Sequence, residues 1–432
     1  MKQWIFFGLF VISICTGCVA PNQTFEKIPP GIWRGTLLLD RVPVSKYGDD
    51  RDIVKKFDFD AELPFNFEVI YDDASNFHVV IHNAEERIKI TDIEFGRDKS
   101  TAKDTVVIRF PVYDTYIKAI YEDGVMEGEW VVNYRENYSI PFKAVHGVAD
   151  RFSLVDGEVE TNVDGRWSAT FEIGTDDQYP ATGLFRQEEK RLTGTFLTET
   201  GDYRYLEGIV YKKKIYLSTF DGAHAYLFLG KLMDNGQLTG TYRSGSHYTT
   251  NWEAVKDKEA NLHDAYDLTK SNTSDPLSLS FENESGTMVS IDDDKYKNKI
   301  KLIQLMGTWC PNCMDETVFL KTYFEKHPAD DVEIISIGFE RYKDAEKAKA
   351  SLKRFKTRMN IDHEVLYGGH YDKKAASEKM PQLDKIMAYP TLLFVDRNNR
   401  IVKIHTGFNG LATPEYPAFE KEFGEIIESM RK

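Results

Sequence analysis

Two cysteines three positions apart, at a junction between two hydrophobic periodicities, constrain this chain more than any other feature. The run Ile300 to Met306 is apolar enough for a strand buried on both faces. Trp309-Cys310-Pro311-Asn312-Cys313 follows, and then Met314, Val318 and Phe324 recur at helical spacing as inward residues. A Cys-X-X-Cys between a strand and a helix is a redox arrangement. The first sulfur lies near the helix N-terminus, where unpaired backbone N–H groups favour an anion. Its pKa falls there, commonly into the range ~3.5–7.5, and the thiolate is the nucleophile. The second sulfur, one turn on, can close a disulfide and release a captured partner. Cys310 is read as the attacking thiol and Cys313 as the resolving thiol.

The rival chemistry for paired cysteines is zinc, but a tetrahedral site needs four ligands and no second Cys pair exists. His327 and His363 lack a ligand-like spacing, and His78 and His82, which share one strand face, are read as surface residues. No metal and no cofactor beyond the redox-active disulfide is therefore expected.

The segment from about Pro276 to Lys432 resembles the thioredoxin superfamily, and within it the membrane-tethered oxidoreductases similar to TlpA and ResA. Trp309 stands at that family's active-site Trp, Glu316 at its Glu just after the motif, and Tyr389-Pro390-Thr391 at the loop whose cis-proline faces the disulfide. The order of strand, motif helix, strand, helix, cis-Pro loop, hairpin and helix is also the family's. The resemblance implies that Pro390 leaves neighbouring backbone free to pair with a substrate strand. It implies that Glu316 tunes the cysteine pair or moves a proton during release, the bland alternative being a helix-surface Glu. Gln304 replaces the superfamily's buried Asp, and Val318 a Pro frequent in the motif helix. A peroxidase is disfavoured, because the places seven and three before Cys310 hold Ile303 and Gly307 rather than Pro and Thr.

The remaining two cysteines, Cys15 and Cys18, end an N-terminal apolar run from Trp4 to Ile14 preceded by Lys2. The run is short for a membrane span and reads as a lipoprotein signal peptide (1–18), cleaved before a lipidated Cys18. Residues 19–30 form a tether. An exported chain with one remaining close cysteine pair holds that pair for exchange. The expected location is the periplasmic side of a membrane, because no acidic cluster follows Cys18.

Between the tether and residue 257 the chain alternates apolar and polar residues between turn signals such as Glu122-Asp123-Gly124 and Asp234-Asn235-Gly236. This is an antiparallel all-β region, of barrel or sandwich type. A near-repeat divides it: Gly31-Ile32-Trp33-Arg34-Gly35 opens one module (31–150) and Gly165-Arg166-Trp167-Ser168-Ala169 opens the second (151–257). Met126-Glu127-Gly128-Glu129-Trp130 and Leu238-Thr239-Gly240-Thr241-Tyr242 occupy corresponding late positions, each suiting a bend with a ring packed over the glycine. Leu217 to His224 resembles a segment of the β domains that precede thioredoxin domains in such lipoproteins.

The polar stretch 258–275 is read as a linker before the thioredoxin-like domain (276–432), and few contacts are expected to cross it. The basic face Lys347, Lys349, Lys353, Arg354, Lys356 and Arg358 is read as solvated. A net charge of −14 argues against nucleic acid as a partner. The expected function is a membrane-anchored thiol–disulfide oxidoreductase, acting as reductase of exported protein disulfides and supplied with electrons by a membrane thiol donor. The alternative is a binding lipoprotein whose β region captures a ligand or partner, with the thioredoxin domain as a docking module.

Overall fold

The structure is a computed structural model that describes residues 27–40, 61–153 and 159–432. Cys15, Cys18 and the signal segment lie outside the described residues.

The β region forms two sheets. The first contains β1 (Gly31–Leu38), β2 (Glu62–Tyr71), β3 (Phe77–Asn83), β4 (Glu86–Ile90), β5 (Ile93–Arg97), β6 (Asp104–Phe110), β7 (Thr115–Glu122), β8 (Val125–Val132) and β9 (Ser139–His146). Their order is β4-β3-β2-β1-β9-β8-β7-β6-β5, an antiparallel meander with free edges that curls into a half-barrel. The second contains β10 (Gly165–Phe171), β11 (Tyr179–Glu188), β12 (Arg191–Thr198), β13 (Gly201–Asp202), β14 (Leu206–Tyr211), β15 (Lys214–Phe220), β16 (Ala225–Leu232), β17 (Leu238–Ser244) and β18 (Tyr248–Lys256). Here β10 pairs with both β11 and β18 and β11 also pairs with β12, so eight strands close into a barrel and β13 hangs on β12 as a short flap. Closure removes the free edges that the first sheet keeps.

The near-repeat corresponds to equivalent strands. β1 and β10 each lie between the next strand and the last strand of their sheet, and Trp33 and Trp167 each donate an indole N–H to the carbonyl four residues back, of Pro29 and Val163. Gly128 and Gly240 sit in the penultimate strands, where a neighbouring strand's backbone comes close. A Cβ at either would lie 1.9 Å from a neighbouring-strand carbonyl, of Lys118 or Leu229, so close backbone approach explains these glycines.

The two sheets share a wall. All residues of β15 after Lys214 are buried, although a barrel strand ordinarily shows one face to solvent. Ile215 and Leu217 point into the barrel core, whereas Tyr216 and Phe220 join the core of the first sheet. Phe220 packs there against Phe65, Phe110 and Trp130 at ring separations of 4.5, 5.7 and 5.3 Å. The half-barrel thus completes its apolar interior with the outside of the barrel.

The C-terminal domain has a hairpin of β19 (Ser280–Glu282) and β20 (Met288–Ser290), then β21 (Ile300–Met306), α1 (Pro311–Lys326), β22 (Val332–Glu340), α2 (Ala345–Arg358), β23 (Glu364–His370), α3 (Lys373–Lys379), β24 (Thr391–Val395), β25 (Ile401–Thr406) and α4 (Tyr416–Arg431). The sheet order is β23-β22-β21-β24-β25, parallel among β21 to β23 and antiparallel beyond. Every residue of the central strand β21 is buried. Leu302 faces α1 and α4, while Ile303 and Leu305 face the side of α2. The strand after the polar stretch therefore carries two apolar faces, and the continuous run in its sequence follows from that.

Two expectations are corrected. The polar stretch 258–275 is fastened down: the carbonyls of Ala260 and Ala265 accept from Arg166 Nε and Thr406 N, and Asn272 N donates to Gln382 O. Its polar groups bond protein where solvent was expected. Nor is the basic face of α2 simply solvated. Arg354 pairs with Asp114 and Arg358 with Asp92, both in turns between strands of the first β sheet, at 2.8 and 2.9 Å. The β region and the C-terminal domain are therefore joined by individual side-chain pairs, to which Arg166–Glu415 also belongs.

Candidate functional site

Cys310 caps the N-terminus of α1 with extended backbone geometry, and Pro311 occupies the first helical position. That placement follows from proline's missing N–H and fixed φ. Cys310 Sγ accepts from Cys313 N at 3.2 Å and is disulfide-bonded to Cys313. No acidic residue stands in the first turn of α1 to oppose a thiolate there. Cys310 is 7% exposed and Cys313 is fully buried, so only the first sulfur has any approach.

The other residues singled out in the sequence gather around this pair. The Tyr389–Pro390 peptide is cis, and the Tyr389 carbonyl lies 3.5 Å from Cys310 Sγ. Trp309 donates its indole N–H to Phe339 O at 3.0 Å and meets Tyr389 edge-on. Glu316 is wholly buried rather than on the helix surface, and burial pushes its carboxyl up to about 8. One carboxyl oxygen accepts from Gln304 Nε2 at 2.9 Å, and the same amide nitrogen lies 3.2 Å from the Cys313 carbonyl as a second contact. Gln304 Oε1 accepts from Thr317 and Ser336. Gln304 is thus the hub of a buried polar network that joins Glu316 to the resolving cysteine's turn.

Several residues of the site carry no local sequence signal. Glu340, at the end of β22, accepts from the N–H and hydroxyl of Thr308 at 2.9 and 2.8 Å, and burial raises it to about 7. It pins the loop that leads into the motif. Arg341 lays its guanidinium over Trp309 at 4.3 Å and over Tyr371 at 4.7 Å.

The β region reaches the motif itself. Asn312, between the cysteines, donates to the carbonyl of Asp202 in β13 at 3.1 Å, and Gly410 N donates to the Asp202 carboxylate at 2.7 Å. Gly201 has φ +127, and a Cβ there would lie 2.2 Å from Asn312 Nδ2. The flap after β12 therefore fits the notch between the motif and the loop of Phe408 only as glycine. Beside it, Arg204 binds Asp315 of α1, Glu86 of the first sheet and Asp221 of the barrel. Burial alone lowers the Arg204 pKa, but these three carboxylates together raise it. Among the described residues no group of His, Cys, Asp or Glu is placed to hold a metal.

A parallel β–α–β core with a disulfide at the start of its first helix and a facing cis-proline defines a thioredoxin-superfamily domain of the thiol–disulfide oxidoreductase class. Within that class, residues 270–418 match the Redoxin family model. No curated protein matches the chain. Solved structures similar to it include a DsbF homologue from Corynebacterium diphtheriae (18% identity, 37% of this chain and 92% of that one, TM-score 0.28). A thiol:disulfide interchange protein of the thioredoxin family from Chlorobium tepidum has 15% identity over 37% of this chain and 98% of its own, with TM-score 0.28. StoA from Bacillus subtilis has 17% identity over 34% of this chain and 98% of its own, with TM-score 0.25.

Proposed function

We propose that the protein is an exported, lipid-anchored reductase of protein disulfides. The observation that carries the reading is the placement of Cys310 at the cap of α1, bonded to Cys313 and bordered by the cis-proline loop. In the reduced enzyme, the Cys310 thiolate attacks one sulfur of a substrate disulfide. The substrate's second sulfur leaves as a thiolate, and a mixed disulfide forms. Cys313, having lost its proton, then attacks Cys310 Sγ, the substrate leaves with two thiols, and the enzyme disulfide reforms. Burial raises Glu316 to about 8, close to the ordinary value of a thiol, so its ionised form is the group that takes the Cys313 proton. A membrane thiol carrier returns two electrons per cycle. Cys18 carries the lipid, and the catalytic domain faces the periplasm.

The test is substrate trapping. Cys313→Ala should accumulate mixed disulfides with exported proteins, and Cys310→Ser should accumulate none. An equal yield from both variants would end the proposed division of roles. For the anchor, labelled fatty acid should follow the wild type and vanish in Cys18→Ser; label retained by that variant rejects Cys18 as the lipid site.

A further inference from the structure

Three parts of the fold meet at a cavity of about 250 Å3 beside the redox motif. The first sheet contributes Trp130, Tyr134, Arg135 and Tyr138; the barrel contributes His224, Tyr226 and His247; the C-terminal domain contributes Trp309 and Arg341. Three observations define what such a space accepts.

The first is charge. Two guanidinium groups line the cavity, and its lining contains no Asp or Glu. This is unusual in a chain of net charge −14. Arg135 and Arg341 rest on rings in place of carboxylates: Arg135 over Tyr138 at 5.0 Å, and Arg341 over Trp309 at 4.3 Å and Tyr134 at 5.5 Å. Asp221 is engaged by Arg204 and His224 and is not part of the wall.

The second is an unused donor. Trp130 is 3% exposed, and its indole N–H has no hydrogen-bond partner among the described residues. Arg341 Nε is also unpartnered. A buried donor without an acceptor costs ~1–3 kcal/mol, and buried indole N–H groups usually find one. The third is shape and surface. Aromatic faces dominate the wall, and the volume falls below the ~300–1,000 Å3 of sites for drug-sized ligands. One ring with a short acidic arm matches the space.

We infer that this cavity is a binding site for a small aromatic carboxylate, its anion held by Arg135 and Arg341 and its ring packed among Trp130, Tyr134 and Tyr226. Trp309 is both a wall of the site and the residue before Cys310, so an occupied site touches the redox motif directly. The inference does not depend on the proposed reductase activity, since it concerns binding without electron transfer.

The probe is phenylacetate, titrated into the full-length oxidised protein by calorimetry, with no reductant or thiol substrate present. Phenethylamine and phenylethanol serve as the cationic and neutral counterparts. Saturable binding of phenylacetate is expected, at least ~10-fold tighter than either counterpart, the difference one charge-assisted contact supplies. Arg135→Gln and Arg341→Gln should each weaken it by a similar factor, and Trp130→Phe, which keeps the ring and removes the N–H, by a smaller one. Circular dichroism of each variant establishes that it is folded. Absence of saturable phenylacetate binding overturns the inference. So does equal affinity for the three probes, or wild-type affinity in both folded arginine variants.

Discussion

Glu316 shows how much the setting of one residue decides. At the helix surface it would titrate near 4.5; buried behind Cys313, it is raised to about 8. The sign of the consequence follows from linkage. The folded state keeps a proton that the unfolded chain has already released, so this contribution to stability is fully present below about 4.5 and is lost as pH rises through about 8. Glu316→Gln should therefore flatten the decline of stability across that window, read from denaturant midpoints at several pH values. If Glu316 also moves the Cys313 proton, the same variant slows release of a trapped mixed disulfide by ~10²-fold or more, the lower end for general acid–base catalysis. A flattened stability profile with an unchanged release rate would leave Glu316 a structural acid only. That Cys310, Cys313, Trp309, Pro390 and Glu316 come together was legible in the sequence, because each holds a fixed place in one motif or one loop. Arg204 was not. Its partner Asp315 lies 111 positions away, and nothing near Arg204 announces a carboxylate. Gln304 was visible only as a polar residue in an apolar strand; its role as a hub exists only once α1 and β22 supply the groups around it.

Among elements, α1 and the short flap β13 set access to the site. α1 presents Cys310 at its cap and buries Cys313 in its first turn. In the reduced protein a small alkylating reagent should therefore modify Cys310 and leave Cys313 untouched, a result mass spectrometry of the labelled peptide reads directly. Faster labelling of Cys313 would reverse the assignment of attacking and resolving thiols. The flap is expected to limit the rate of that labelling. With Gly201 at φ +127 and Asn312 within contact, Gly201→Val would force the flap from its notch at a cost on the order of 1–3 kcal/mol. The expected outcome is faster alkylation of Cys310 with the C-terminal domain still folded. An unchanged rate would show that the flap does not limit approach to the sulfur. Element types were readable from the sequence because alternation and helical period are local signals. The closure of β18 onto β10 was not, because a meander and a barrel share the same alternation and differ only in that one long-range pairing. The doubly buried β15 was equally hidden: its outer face becomes interior only when the first sheet lies against it.

For the whole molecule, the question is what holds the β region over the redox motif. Partly exposed pairs such as Arg358–Asp92 contribute at most about 1 kcal/mol each. Arg204 is different in kind. It is buried, and it joins the half-barrel through Glu86, the barrel through Asp221 and the motif helix through Asp315. Removing one partner of a buried ion network costs ~3–5 kcal/mol, because the remaining charges are left without compensation. Arg204→Met keeps the apolar stem and deletes the charge, so three carboxyl groups lose their cation where the three parts meet. The two β sheets share a core and the C-terminal domain has its own, so the loss should fall first on the association of that domain with the β region. Differential scanning calorimetry should then show a separate transition for the C-terminal domain, and Cys310 should be alkylated faster than in the wild type. A single cooperative transition with wild-type labelling would mean that the packing of the shared apolar walls, rather than Arg204, holds the β region in place.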